Sequence, residues 1–275
     1  MRIPRAEIMS RLRACLVAGK PIISTGVGAG ISAACMEKGG SDLLVVYTSG
    51  YYRMEGRPSM ASVLPCGDAN AIIAGMAREV LPLVRNVPVL AGILASDPYR
   101  DMPRFIRELG ELGYSGIQNY PTAGQIDGVL REALEESGLG YDAEVAMVCE
   151  ARRQDMLTQP YAFNAEEARA MAKAGCDLLI AHMGIQTKAM KQRGQGMDLA
   201  GCAQRAQLIA DAAHSVREDV LVLCHGGPLN TPEDLAYVLE NTEGVCGIYG
   251  ASVVEYNPAG RAITAQVEAY KALKL

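Results

Sequence analysis

The sequence predicts a single α/β domain with the architecture of a TIM barrel, the (β/α)8 fold. Short apolar runs alternate along the chain with longer helical patterns, and eight such pairs occur in succession. The length of 275 residues suits one barrel, so residues 1–275 are interpreted as one TIM-barrel domain. The core must consist of aliphatic side chains, methionines and small residues, because the chain has no Trp and two Phe. A doubly wound open sheet is the alternative, since periodicity alone does not show that a sheet closes.

A leading helix is predicted before the first strand. Ile8, Leu12 and Leu16 recur every four residues, and the pattern ends at Gly19. Residues 1–19 would then plug the barrel floor, and residues 20–275 would form the barrel. The predicted strands are residues 21–25, 42–47, 88–93, 115–118, 156–162, 177–181, 220–224 and 245–249. The predicted barrel helices are residues 31–38, 67–84, 103–112, 127–137, a helix from Asn164, 199–217, a helix from Pro232, and 258–273.

Two segments interrupt this alternation. Residues 48–66 are too long and aperiodic for an ordinary connection, and such loops are usually functional or disordered. Residues 141–154 predict an extra helix before the fifth strand, although residues 144–149 could instead be a strand. We expect a homo-oligomer in which these segments supply the subunit contacts, unless both fold back on their own barrel.

Composition argues against several classes of function. The net charge is −5 with both signs interspersed, which predicts no nucleic-acid partner and no binding to an anionic membrane. The eight cysteines show no zinc-type spacing, which indicates reduced, packed thiols. No signal-peptide or membrane-spanning pattern is present, so we expect a cytoplasmic protein that binds a small metabolite.

The candidate chemistry lies at the predicted carboxyl ends of the strands, where TIM barrels place their active sites. His182 and His225 end successive strands about 4.8 Å apart, so both imidazoles are expected to reach one substrate or metal. The alternative is that each hydrogen-bonds a neighbouring loop. Asp97, held extended by Pro98, is a candidate general base or ligand for a divalent cation such as Mg²⁺. It could instead cap the next helix.

Glycine-rich turns and an arginine predict a small anionic ligand. The last two strands each end in a small-residue turn ahead of a helix, the usual phosphate site of the fold. Arg53, in the long segment, suits a carboxylate or phosphate, although solvated loop arginines are common. The predicted substrate-binding positions are Gly26, Gly28, Ser49, Arg53, Asn119, Gly226, Gly227, Gly250, Ala251 and Ser252.

Common nucleotide and hydrolase motifs do not fit. The glycine run at Gly26 lacks the third glycine of a dinucleotide fingerprint, where Ile31 stands, and the second strand ends in Tyr47 instead of an acid. NAD binding is therefore disfavoured. The sequence contains no G-x-S-x-G, H-E-x-x-H or Walker pattern.

Taken together, the strand-end sequences resemble the TIM-barrel family labelled phosphoenolpyruvate hydrolase-like, or TIM-barrel signal transduction protein. The runs that carry the resemblance are GVGAGISA, SGYYRMEGRPS, GDAN, VLAGILASDP, GIQNYPT, AHMG, LCHGGP and YGAS. The positions that match are Arg53, Asp97, Asn119, His182, His225 and Ser252. Residues 185–190 and 253–257 differ from the family pattern. Both segments lie at the predicted mouth of the barrel, the end formed by the carboxyl ends of the strands.

The resemblance implies a hydrolase or lyase of a phosphoenolpyruvate- or phosphonopyruvate-like keto acid. In this interpretation His225 or His182 moves a proton, Asp97 binds a divalent ion or poises water, and Arg53 orients a carboxylate. The alternative is a non-catalytic barrel that senses a metabolite and passes a signal to a partner.

Overall fold

Nine parallel strand segments form one curled sheet in the computed structural model, which describes residues 2–273. They are β1 Ile22–Val27, β2 Leu43–Val46, β3 Val89–Ile93, β4 Gly116–Asn119, β5 Leu157–Thr158, β6 Tyr161–Ala162, β7 Leu178–His182, β8 Leu221–His225 and β9 Val245–Gly250. Their order across the sheet is β5-β4-β3-β2-β1-β9-β8-β7-β6. The prediction of a TIM-type barrel is confirmed, and the doubly wound alternative is wrong.

The fifth predicted strand is present as two short halves, β5 and β6. Pro160 lies between them and has no N–H group for a ladder hydrogen bond. The connecting residues still bond both neighbours: Gln159 N donates to Ile117 O at 3.0 Å, and Pro160 O accepts from Ile180 N at 2.8 Å. The stretch from 157 to 162 therefore joins the two edges of the sheet.

Helices follow the strands much as predicted. They are α1 Arg5–Val17, α2 Gly30–Lys38, α3 Thr48–Met54, α4 Ala69–Val80, α5 Met102–Leu112, α6 Gly128–Glu136, α7 Tyr141–Arg153, α8 Ala165–Lys173, α9 Lys188–Gln192, α10 Leu199–His214, α11 Pro232–Glu240 and α12 Tyr256–Lys271. The predicted loop over residues 48–66 instead contains α3 and a 3₁₀ helix, Ser59–Val63. Residues 141–153 are helical, so the strand alternative for that segment is wrong.

Side-chain caps fix where several helices begin. Thr231 Oγ1 accepts from Asp234 N at 3.2 Å, the Asp234 carboxylate accepts from Thr231 N at 3.0 Å, and Pro232 occupies the first helical position. At α8, Asn164 Oδ1 accepts from Glu167 N. The Glu167 carboxylate accepts from Phe163 N, whereas in a standard capping box it would accept from the N-cap residue, Asn164. These caps satisfy amide groups that the helices leave unpaired.

The leading helix closes the barrel floor, as predicted. Ile8 and Leu12 of α1 are buried among the side chains that fill the barrel interior. Arg5 Nη2 also lies 2.5 Å from Asp177 Oδ1, beside the start of β7. Helix α1 therefore belongs to the packed core.

Helix α7 packs on its own barrel. Its side chains Met147 and Val148 are buried in the layer between strands and helices. These two side chains therefore pack on their own barrel, and the subunit contacts predicted for this segment stay a prediction. Between residues 2 and 273, no helix combines the length and apolar character needed to cross a membrane.

Candidate functional site

A cavity of about 260 Å³ opens where the strands end, on the side of the barrel formed by β7, β8 and β9. Eight of the positions predicted from the sequence line it: Ser49, Arg53, His182, His225, Gly226, Gly227, Ala251 and Ser252. The histidines, the arginine and the small-residue turns therefore share one site at the carboxyl ends of the strands, where TIM barrels place their active sites.

The two histidines are neighbours across the sheet. His182 and His225 are register partners on β7 and β8, and their ring centroids lie 4.7 Å apart with an interplanar angle of 83°. His182 is buried, and His225 is partly exposed to the cavity. Burial lowers the pKa of both imidazoles, with His225 falling to about 4 and His182 well below its ordinary value. Both rings are therefore neutral at neutral pH.

Backbone groups give the two neutral rings opposite tautomers. Gly184 N donates to His182 Nδ1 at 2.9 Å, so His182 carries its proton on Nε2. His225 Nδ1 lies 2.7 Å from Tyr249 O, which can only accept, so His225 is protonated on Nδ1 and keeps a lone pair on Nε2. One ring therefore presents a donor at Nε2 and the other an acceptor.

Aromatic side chains hold the histidines in place. Phe163 stacks on His182 with ring centroids 4.5 Å apart, and Tyr161 contacts His182 and His225 at 5.0 and 5.6 Å. Tyr249 lies 4.9 Å from His225. These contacts restrict ring rotation, and their burial accounts for the lowered histidine pKa values.

Arg53 has no carboxylate in contact with it, although burial, the Tyr47 hydroxyl and the charge of the buried Glu255 all act on its pKa. It lies in α3, donates to the Tyr47 hydroxyl and sits 5.4 Å from the centroid of that ring. Its Nε is buried and has no hydrogen-bond partner, and Arg53 forms no ion pair within residues 2–273. A buried donor on a permanent cation is costly unless something accepts from it. Arg53 is therefore prepared for an anionic ligand.

The turns after β8 and β9 line the same cavity as Arg53. Gly226 and Gly227 have φ values of 81° and 63°, in the left-handed region that favours glycine. After β9, Val254 N and Glu255 N both bond Ala251 O, which forms a helical turn. Amide groups inside such a first turn have no partner within the helix, so Ser252 lies in a position suited to an anion.

Ser49 belongs to a hydroxyl cluster at the cavity wall. Its Oγ lies 2.8 Å from Ser62 Oγ and 2.6 Å from the Tyr120 hydroxyl, and Ser62 Oγ lies 2.7 Å from the same hydroxyl. The cluster ties the 3₁₀ helix of residues 59–63 to the barrel. Ser49 thus holds the wall of the cavity.

Sequence reasoning included Tyr47 among the strand-end candidates but missed the other tyrosines that shape this site. Tyr47, Tyr120, Tyr161 and Tyr249 line the cavity, as does Gln125, whose Nε2 atom lies 3.4 Å from His182 Nε2. Tyr47 follows β2 and Tyr249 lies near the end of β9, so the strand-end rule was a usable signal for both. Tyr161 carried no such signal, because nothing in the sequence shows that the fifth strand is divided there. Gln125 carried none either, because it lies in a 3₁₀ helix several residues after β4.

Asp97 does not join the histidines. It lines a second cleft of about 520 Å³, bordered by the 3₁₀ segment and the turn after β3. Its carboxylate accepts from Asn70 Nδ2 at 2.9 Å and Tyr99 N at 3.0 Å, and it is paired with Arg100. Burial opposes ionisation, but these donors hold the pKa of Asp97 below its ordinary value. The cavity and Asp97 are therefore separate sites.

Four more predicted positions lie outside the cavity lining. Asn119 is buried, accepts from Tyr161 N at 2.7 Å and donates to Glu144. A Cβ at Gly28 would lie 2.1 Å from Gly50 O, and one at Gly26 would lie 2.5 Å from the Tyr47 ring. A Cβ at Gly250 would lie 2.5 Å from Val254. Close packing, not ligand contact, explains these small residues.

The donor groups at these sites do not fit the predicted divalent cation. The lining of the cavity includes no carboxylate, the ligand type that Mg²⁺ requires. Over residues 2–273, no group of three or more His, Cys, Asp or Glu side chains is arranged to hold a metal. In the second cleft, Arg100 pairs with both Asp97 and Asp68 and supplies the positive charge there.

These features define a TIM-barrel protein with a polar cavity at the carboxyl ends of its strands. The chain belongs to the phosphoenolpyruvate hydrolase-like family, whose model matches residues 7–273. The resemblance seen in the strand-end sequences is therefore confirmed.

A plant relative and two solved structures extend the comparison. Over 271 residues the chain is 49% identical to the ToMV susceptible protein tm-1(GCR26) of Solanum lycopersicum, which covers 98% of this chain. The chain spans only 36% of that relative's length. The barrel is similar to oxaloacetate acetylhydrolase (TM-score 0.62, 17% identity, covering 98% and 88% of the two chains). It is also similar to a phosphonopyruvate hydrolase solved with oxalate and Mg²⁺ (TM-score 0.57, 16% identity, covering 96% and 88%). At these identities the structural likeness shows the fold alone.

Proposed function

We propose that this barrel is an enzyme that acts on a small keto-acid anion, as a hydrolase or lyase of a phosphoenolpyruvate- or phosphonopyruvate-like substrate. The observation that carries the proposal is the Arg53 guanidinium, which has no carboxylate partner and shares a cavity with two neutral histidines. The family label and the enzymes of similar fold support the same substrate class.

Arg53 supplies the charge that selects the substrate. A bidentate guanidinium suits a carboxylate, and no competing acidic side chain lines the cavity. The turns at Gly226–Gly227 and Ala251–Ser252 then hold the second polar end of the molecule. A volume of about 260 Å³ restricts the ligand to a small metabolite.

The opposite tautomers assign different roles to the histidines. His225 Nε2 carries a lone pair and accepts a proton from water or from a substrate hydroxyl. His182 Nε2 carries a proton and donates a hydrogen bond to oxygen charge that develops on the substrate. A neutral donor and a neutral acceptor 4.7 Å apart, measured between ring centroids, can serve one substrate together.

No step is assigned to a divalent cation. A divalent cation was predicted from the Asp97 carboxylate, and the phosphonopyruvate hydrolase of similar fold was solved with Mg²⁺. The cavity residues offer imidazole, hydroxyl and guanidinium groups without a carboxylate, and this donor set does not suit Mg²⁺.

A metabolite-sensing barrel is the second candidate. The observation that favours it is that neither histidine has a carboxylate to orient it and stabilise its protonated form, as catalytic bases often do. In that case the same cavity binds the anion without converting it.

One experiment separates the two candidates. The protein is incubated with phosphoenolpyruvate, phosphonopyruvate and related keto acids, and each compound is followed by NMR while the melting temperature is recorded. Consumption of a compound by the wild type but not by His225→Gln supports the enzyme. Stabilisation by a compound recovered unchanged supports the sensor. No consumption and no stabilisation across the panel would contradict both.

A further inference from the structure

One side chain contacts the ring nitrogen from which His182 donates. Gln125 lines the cavity and ends the 3₁₀ helix Ala123–Gln125, which follows β4. The Nε2 atom of its carboxamide lies 3.4 Å from His182 Nε2. Among residues 2–273, no other side chain forms a hydrogen bond with this imidazole. Gln125 is therefore the polar partner that the chain provides for His182 Nε2.

The tautomer of His182 decides which end of the carboxamide faces the ring. Gly184 N donates to His182 Nδ1 at 2.9 Å, so the proton of the neutral ring lies on Nε2. The nitrogen of a carboxamide is a donor only, and two donors that face one another repel. A half-turn of the amide exchanges its oxygen and nitrogen while the rest of the side chain stays in place. Gln125 therefore presents its oxygen, an acceptor, to the His182 N–H group.

The turn that carries Gln125 is held from two sides. Ala123 N donates to Glu144 Oε1 at 2.6 Å, and Arg131 Nη1 donates to Ala123 O at 2.9 Å. Thr122 Oγ1 donates to the other carboxyl oxygen of Glu144 at 2.7 Å. Glu144 is itself buried in α7, so these bonds connect the turn to the packed core. A side chain on a turn supported in this way can hold its neighbour in one orientation.

The partner of His182 carries no charge. A carboxylate beside an imidazole favours the protonated ring and raises its pKa, whereas a carboxamide does not. Burial is the main cause of the low pKa of His182, and His225 and Arg205 lower it further. No carboxylate lines the cavity to oppose them. A carboxamide partner thus fixes the direction of the proton and leaves the ring neutral.

We propose that Gln125 is the positioning residue of His182. Its carboxamide oxygen accepts from Nε2–H, directs that proton and keeps the imidazole uncharged. A contact of 3.4 Å is long for a hydrogen bond, so an oxygen of a bound ligand can take over the proton. The effect of Gln125 on turnover rests on the proposed function, whereas its effect on the imidazole does not.

Three forms of the protein test this role in NMR spectra of the His182 Nε2 proton. The wild type has a neutral acceptor, Gln125→Met has a side chain of similar length without one, and Gln125→Glu has a charged acceptor. A hydrogen-bonded proton resonates further downfield, so the chemical shift should increase in the order Met, Gln, Glu. Solvent exchange of the proton should be about tenfold faster in Gln125→Met, the effect of losing one hydrogen bond. The signal is assigned with His182→Gln.

Gln204→Met is the matched control. Gln204 is exposed on α10 and does not line the cavity, so this variant should leave the His182 proton signal unchanged. The same signal in the wild type and in Gln125→Met would overturn the positioning role. A wild-type proton that exchanges too fast to be observed would overturn it as well, because a hydrogen-bonded proton is protected from solvent.

Turnover tests the consequence for catalysis separately. With any compound that the wild type consumes, Gln125→Met should lower kcat about tenfold and leave KM within about twofold, because a misdirected donor impairs orientation and not anion binding at Arg53. A raised KM with an unchanged kcat would contradict this role. If no compound is consumed but the order of chemical shifts holds, the proposed function fails and the positioning of His182 by Gln125 stands.

Discussion

Two polar sites lie at the same edge of this barrel, and they differ in whether their charges are paired. In the second cleft, Asp97 and Asp68 are both paired with Arg100, and Asn70 completes the cluster. In the cavity, Arg53 forms no ion pair and His225 Nε2 has no hydrogen-bond partner among residues 2–273. A polar residue at a strand end is thus structural where neighbouring side chains pair with its charge. Where no neighbour pairs with it, the residue is available to a ligand.

The largest expected effect is the loss of proton transfer in the cavity. His225→Gln should lower kcat by about 10²–10⁴-fold, the usual contribution of a general base. The melting temperature should stay near that of the wild type, because the residue is partly exposed. Steady-state kinetics and a thermal melt measure both quantities. Normal turnover with a lowered melting temperature would show that His225 has a structural role. The cavity and the second cleft would then not differ in the way described above.

Removal of the cavity charge should weaken substrate binding. Arg53→Gln is expected to lower kcat/KM by roughly 10- to 100-fold, since a charge-assisted hydrogen bond contributes about 1.5–3 kcal/mol. Arg57→Gln is the matched control, because Arg57 is exposed four residues away and does not line the cavity. Equal losses in the two variants would contradict the assignment of Arg53 as the anion-binding group.

The pH dependence of stability should separate the two sites. The folded pKa of His225, about 4, lies below its ordinary value of 6.5, so the unfolded chain binds more protons between these values. The contribution of His225 to stability should therefore fall as the pH drops from about 6.5 to 4. The lowered pKa of Asp97 acts in the same direction, but only near and below its ordinary value of 3.8.

Urea midpoints measured from pH 7 to pH 3 test this order. His225→Gln should flatten the decline between pH 6.5 and 4. Asp97→Asn should lower the midpoint throughout the neutral range and should change the slope of the decline only near and below pH 3.8. If the midpoints of His225→Gln decline with pH as those of the wild type do, the imidazole is not held neutral by burial.

The smallest effect on activity is expected in the second cleft. Asp97→Asn should cost about 1–3 kcal/mol of unfolding free energy, because Arg100 and Asn70 lose a charged partner, while kcat/KM changes less than twofold. Denaturant unfolding and kinetics provide the two numbers. A large loss of turnover with little loss of stability would place Asp97 in the chemistry and contradict the separation of the sites.

Much of the fold was predictable because its signals are local. Apolar runs bounded by glycine and proline located the strands, and the Thr231–Pro232–Asp234 start of α11 was read directly. The segment at residues 48–66 was less predictable. Helix α3 is short and has no side-chain cap, and it is held by tertiary contacts such as those of Ser49.

The sequence by itself determined that His182, His225, Asp97 and Arg53 lie at strand ends or in the adjacent long segment, since periodicity and turn residues define where each strand stops. Only the tertiary structure decided which of them share a cavity. Arg100 pairs with Asp97 and also with Asp68, 32 residues earlier, while the Tyr249 carbonyl of β9 sets the tautomer of His225 on the neighbouring strand. Pairing depends on distances across the barrel, and a linear pattern does not contain those distances.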